Sequence, residues 1–270
     1  MGVSSSRPWA DVPLNALRGV LGVLTDIDDT LTTEGAITAD ALDALRRLCD
    51  AGIRVIAITG RPMGWSEPFA RDWPIDAIVA ENGAVALFRD AEGGLAIEHA
   101  QDEATRSVNA RRLRQVAARV LRDVPGSCLA QDSAGRVTDI AIDHSEFAHL
   151  APRQIEQVVA VMRSEGMNAT VSSIHINGWF GDHSKLSGAR WIVQRLLARD
   201  LEAETERWIY VGDSTNDQLM FGHFALSVGV ANLMVFAEQL TVWPAYLTQG
   251  ERGAGFAEVA QRLSVARGLS

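Results

Sequence analysis

Short apolar runs recur along the chain, and several close on small or acidic residues. Val20 to Leu24 leads directly into Asp26-Ile27-Asp28-Asp29-Thr30. Ile53 to Ile58 closes on Thr59-Gly60-Arg61-Pro62, and Ala77–Ala80 forms a third run. Between the first two, Leu42, Leu45 and Leu48 repeat behind Thr38-Ala39-Asp40, with Gly52 following. That spacing predicts a helix with Thr38 as N-cap and Gly52 as its stop. Continuous apolar strands alternating with amphipathic helices predict a parallel sheet covered on both faces.

The rhythm then changes. Ala84–Phe88 and Leu95–Glu98 flank a turn-rich Arg89 to Gly94 and read as a hairpin. A helix is expected over 102–122, a strand pair over Ser127–Gln131 and Val137–Ile142, and a second helix over 151–165. Residues 169–177 read as one long strand or two. The parallel-sheet pattern returns with helix 185–201, strand Trp208–Val211, a short helix, strand 225–230 and helix 255–266. The expectation is an α/β fold: a Rossmann-like parallel-sheet core interrupted by an inserted α+β module. Residues 1–86 and 179–270 form the two halves of the core, 87–178 the insertion, and 1–18 an irregular arm.

Composition narrows the choice of partners. The chain has 270 residues, 47% hydrophobic and 22% charged, the balance of an ordinary globular protein. A net charge of -9 argues against nucleic acid, which calls for clustered Lys and Arg. No apolar stretch approaches the length of a membrane span, and Met1 to Leu17 lacks the apolar centre of a leader peptide. Cys49 and Cys128 have no CxxC neighbour and read as reduced, buried thiols, consistent with cytoplasm. No protein partner is evident.

Three carboxylates at the end of a buried strand are costly unless they are neutralised, paired or bound to a metal. Alternation turns Asp26 and Asp28 to the same side, and a divalent cation at the strand end is the simplest counter-charge. Further candidate groups sit where parallel sheets place ligands, beyond the carboxyl ends of strands: Thr59-Gly60-Arg61, Lys185, and Asp213 with Asn216 and Asp217. Lys185 is the only lysine in the sequence; the remaining basic residues of its class are arginine.

These segments, in this order, resemble the motifs of the haloacid dehalogenase superfamily of phosphohydrolases. Asp26-Ile27-Asp28-Asp29-Thr30 matches DxDxT, Thr59 the strand-end Thr or Ser, Lys185 the helix-start lysine, and Gly212 to Asp217 the GDxxND segment. Glu81-Asn82-Gly83-Ala84 resembles the ENGA segment leading into a large α/β cap, the subgroup that includes Cof-type and sugar-phosphate phosphatases. His183-Ser184-Lys185-Leu186 departs from the usual surroundings of the third motif.

The resemblance implies a Mg²⁺-dependent phosphatase acting on a small phosphorylated metabolite, a sugar phosphate foremost. It implies Asp26 as nucleophile and Asp28 as general acid and base. Mg²⁺ would be held by Asp26, the Asp28 carbonyl and Asp213, and phosphate by Thr59, Gly60, Lys185 and Asn216, with Asp217 in support. Strand alternation puts His175, Asn177 and Trp179 on one face, as candidates for substrate contact. Asp29 reads as outside the chemistry, and Arg136 as a hairpin-turn residue. Two alternatives stay open: a phosphomutase of the phosphomannomutase type, and a catalytically silent sugar-phosphate-binding protein.

Overall fold

Alternation within each buried strand divides the interior of the protein in two. Val23, Val55 and Ala57 sit in one core, and Leu24, Ile56 and Ile58 in the other. A strand buries both faces only where helices cover both. Helices Ala39–Asp50, Met63–Asp72 and Arg252–Ala266 cover one face; Lys185–Leu197 and Gln218–His223 cover the other. The structure is a computed structural model describing residues 6–269.

Among the described residues the main sheet has nine strands: Arg7–Pro8, Tyr246–Leu247, Leu226–Gly229, Trp208–Gly212, Gly22–Thr25, Arg54–Ile58, Ala77–Ala80, Val85–Arg89 and Leu95–His99, in that spatial order. Neighbours pair in parallel as far as Ala77–Ala80, and the last two strands run antiparallel. A second, antiparallel sheet carries Asn168–Val171, His175–Trp179, Asp139–Asp143 and Cys128–Leu129. Helices Glu103–Asp123 and Pro152–Ser164 pack on one of its faces through Leu113, Val116, Val120, Val158 and Met162, against Ile140, Ile142 and Ile176. The α/β core with an inserted antiparallel unit is therefore present.

Several local expectations change. The hairpin that breaks the βα rhythm belongs to the main sheet: Ala77 to Ala80 pair with Phe88 to Val85, which buries Ala86 and Phe88 in the second core. The arm is not irregular over its described part. Arg7–Pro8 adds a strand, Leu14–Leu17 a helical turn, and buried Trp9 stands edge-on to Tyr246 at 5.6 Å. Positions 1–5 of that arm lie outside the described residues. The ambiguous stretch 169–177 is two strands joined at Ser172 to Ile174. Thr38 precedes its helix without a side-chain cap bond. Both cysteines are exposed, not buried. Among the described residues no helix is long and apolar enough to cross a membrane.

Candidate functional site

Parallel strands deliver their carboxyl ends to one edge of the sheet, and the ordered segments meet there. The Gly22–Thr25 strand ends one residue before Asp26, whose N–H still donates to Val211 O at 2.9 Å. The chain then turns: Ile27 O accepts from the N–H groups of Thr30, Leu31 and Thr32, and Asp29 takes a φ of 53°. Strand alternation therefore stops governing at Asp26. Asp26 and Asp28 take two separate partners, one basic side chain each.

Asp26 meets Lys185. The Lys185 Nζ donates to Asp26 Oδ1 and to Asp217 Oδ1, both at 2.7 Å, and reaches Asn216 Oδ1 at 3.4 Å. Lys185 is the first residue of its helix, with Ser184 capping it by accepting from the Ser187 N–H. Asp217 is fixed by the N–H groups of Asp213 and Ser214 on Oδ2, at 2.9 and 3.1 Å, and by the Tyr210 hydroxyl on Oδ1. Gly212 makes that turn possible, because a Cβ there would lie 2.5 Å from Asp217 Oδ2.

Carboxylates outnumber the lysine. Asp26, Asp213 and Asp217 each bring an oxygen to within 4.8 Å of the others, and all three are buried. Burial pushes the Asp26 carboxyl up to about 7, against the pull of the Lys185 ammonium. Burial, with Asp26 and Asp217 nearby, raises Asp213 well above the usual carboxylate range. Asp213 Oδ1 is buried without a hydrogen-bond partner. Hard oxygen donors, surplus negative charge and an orphaned carboxylate oxygen are the features that a divalent cation satisfies. The residues fit such an ion.

Asp28 meets Arg61. The guanidinium Nε donates to Asp28 Oδ1 and Oδ2 at 2.9 and 3.1 Å, and the Arg61 N–H donates to Thr59 Oγ1 at 2.9 Å. Among the described residues, Thr59 Oγ1 accepts from the Arg61 N–H and Gly60 O from the Asn177 and Arg136 side chains, not from the lysine cluster. Gly60 is closely covered: a Cβ there would lie 3.0 Å from Asn177 Oδ1, so that side chain would have to give way.

The antiparallel sheet turns its polar face to this edge. Asp139 pairs in register with Trp179, Ala141 with Asn177 and Asp143 with His175. Asn177 Nδ2 donates to Gly60 O at 3.2 Å and to Asp139 Oδ2 at 3.1 Å. His175 Nε2 bonds Glu146 Oε2 at 2.9 Å, and Trp179 Nε1 donates to His183 O at 2.9 Å. The strand thus crosses between two cavities. One of about 360 Å³ is lined by Asp28, Arg61, Glu34, Glu146, Ser173 and Arg252. The other, about 500 Å³, is lined by Trp179, Lys185, Asn216, Arg163 and Thr170.

Four charged groups here take partners that the sequence patterns do not assign. Arg136 is buried at 2% exposure, holding Asp139 at 2.8 Å and Gly60 O at 2.8 Å. Glu81 accepts from Met63, Val137 and Thr138 N–H groups, tying the ENGA turn to the inserted unit. Arg61 and Glu146 complete the set. Of these, only Arg61 and Glu81 carried a signal, through their places inside recognisable motifs.

The residues 23–115 match the family model described as haloacid dehalogenase-like hydrolase. No curated protein sequence matches the chain. Among solved structures, a Plasmodium vivax protein described as a HAD/COF-like hydrolase is similar at TM-score 0.65 and 15% identity, over 93% of this chain and 99% of that one. The sucrose-phosphatase of Synechocystis sp. PCC6803, solved with sucrose and phosphate, is similar at TM-score 0.64 and 17% identity, over 90% and 98%. The C-terminal domain of Candida albicans trehalose-6-phosphate phosphatase is similar at TM-score 0.65 and 14% identity, over 99% of each chain. Likeness at such identities concerns the fold. The family match over residues 23–115, the shared fold, and the ordered carboxylates and lysine at the strand ends make the chain similar to haloacid dehalogenase-like hydrolases.

Proposed function

We propose that the protein is a Mg²⁺-dependent phosphomonoester hydrolase acting through a phosphorylated aspartate. The observation that carries this reading is the buried group of Asp26, Asp213 and Asp217 around a single lysine. Asp26 would attack phosphorus, splitting one hard displacement into two easier ones. Asp28, lining the 360 Å³ cavity, would protonate the departing oxygen and later take a proton from the attacking water. Lys185, Asn216, Thr59 and the Gly60 N–H would hold phosphoryl oxygens, with Asp217 orienting Lys185. Alignment and charge stabilisation are most of what phosphoryl transfer requires. Asp26, Asp213 and the Asp28 carbonyl would hold the cation, which offsets repulsion between carboxylate and phosphoryl group.

The antiparallel sheet and its two helices, within 87–178, act in this reading as a cap that closes over the site and excludes water. The substrate is taken as a small phosphorylated metabolite, a sugar phosphate foremost. Support for that choice comes from the fold shared with a sucrose-phosphatase and a trehalose-6-phosphate phosphatase, and from hydroxyl and carboxylate groups in the cavity walls. His175, Asn177 and Trp179 supply the cap face nearest the site. Two exposed, unpaired thiols suit a reducing cytoplasm.

Phosphate release from a panel of sugar and glycerate phosphates, with Mg²⁺ present, tests the reading. Asp26→Asn should lower turnover by ~1000-fold or more. Isomer formation in place of free phosphate would indicate a mutase. Unchanged turnover in the variant would remove Asp26 as nucleophile.

A further inference from the structure

Among the described residues, Asp28 has a single side-chain partner. Arg61 Nε holds both of its carboxylate oxygens, at 2.9 and 3.1 Å. The same guanidinium crosses to the inserted unit, with Nη2 donating to Glu146 Oε1 at 2.7 Å and Nη1 to Asp132 Oδ2 at 3.2 Å. Glu146 is in turn held by His175 Nε2 at 2.9 Å. The Arg61 side chain is 5% exposed, with its guanidinium carbon 4.9 Å from the centre of the Trp65 ring.

Neutralising one buried guanidinium takes one carboxylate. Three converge here, one beside the nucleophile and two on the inserted unit. A planar guanidinium presents donors in a rigid fork and so fixes the relative placement of the groups it binds. A lysine in its place would supply charge without that fixed geometry.

We propose that Arg61, anchored on the cap by Glu146, is the positioning residue that aims the Asp28 carboxyl at the leaving group when the cap is seated. This rests on the phosphatase reading and adds to it the residue that aims the acid and the cap residue that makes aiming depend on closure. In the first half-reaction an Asp26 oxygen bonds to phosphorus while the bond from phosphorus to the leaving oxygen breaks. The Asp28 proton passes to that leaving oxygen. In the second, water oxygen bonds to phosphorus, the bond to Asp26 breaks, and the water proton returns to Asp28.

The test compares leaving groups of different basicity: 4-nitrophenyl, phenyl and benzyl phosphate. The ratio kcat/KM reports the steps up to the first bond cleavage, where Asp28 gives up its proton. A nitrophenolate leaves with little protonation and a benzyl alkoxide does not. Arg61→Lys and Glu146→Gln should each lower kcat/KM for benzyl phosphate by ~100-fold and for 4-nitrophenyl phosphate by under ~5-fold, with phenyl phosphate between. Glu146 lies outside the hydrophobic cores, so its variant keeps the measurement interpretable if Arg61→Lys fails to fold. An equal loss on all three substrates, or no loss, in Glu146→Gln would overturn the inference. A wild-type protein that hydrolyses none of the three would overturn the phosphatase reading and this inference with it.

Discussion

Lys185 stands between two buried carboxylates, and its removal has two separable consequences. Lys185→Met leaves Asp26 and Asp217 without their shared cation. Removing one partner of a buried pair costs about 3–5 kcal/mol, readable as a lowered denaturant midpoint in metal-free buffer. Activity should fall by ~100-fold or more, the scale of losing a charge-stabilising donor. Lys185→Arg should not restore it, because a planar fork cannot take the place of a point ammonium in this site. Full activity in Lys185→Arg would show that charge alone suffices. At this scale the lysine cluster was legible, since Asp26, Lys185, Asp213 and Asp217 each belong to an ordered segment at a strand end. The Asp28–Arg61 pair was not. Its direction depends on the turn after Thr25, where Asp29 takes positive φ and alternation no longer applies. Glu146 was invisible because it comes from 85 residues beyond Arg61.

The turn Glu81-Asn82-Gly83 is the element on which the inserted unit hangs. All three residues have positive φ, and a Cβ on Gly83 would lie closer than contact distance to Ser184 O. Gly83→Ala should therefore destabilise the protein and disturb the start of the Lys185 helix together, measured by unfolding and by activity. Burial and neighbouring Asp139 push the Glu81 carboxyl up to about 7, against the donors of Thr138 and Met63. The folded protein then keeps a proton that the unfolded chain releases once pH passes the ordinary value of 4.5. The contribution of Glu81 to stability is full at low pH and declines as pH rises through about 7. Its slope reaches at most about 1.4 kcal/mol per pH unit. Urea unfolding of wild type and Glu81→Gln across that range should show the wild type losing ground as pH rises. A difference between them that stays constant with pH would contradict this. Most elements were legible as apolar runs and helix stops. The sheet that the edge hairpin joins was not legible, because a period-two pattern says that a strand exists, not which neighbour it pairs with.

At the scale of the whole molecule, the candidate cleft lies where two sheets meet. The main sheet brings the carboxylates and lysine to one edge, and the antiparallel sheet lays Asp139, Asn177 and His175 across it. Mg²⁺ should raise the melting temperature, with a gain of about 2.7 kcal/mol at a hundred times its dissociation constant. Chelation should reverse the shift, and Asp213→Asn should abolish it. A shift of equal size in that variant would place the cation elsewhere. Whether Asp26 carries the phosphoryl group can be read by acid-quenching Asp28→Asn during turnover of 4-nitrophenyl [³²P]phosphate. That leaving group needs no acid, while hydrolysis of the intermediate loses its base, so label should accumulate. Hydroxylamine-labile label is expected on the peptide containing Asp26 and none in Asp26→Asn. Label on another residue, or turnover with no label retained at any quench time, would contradict it.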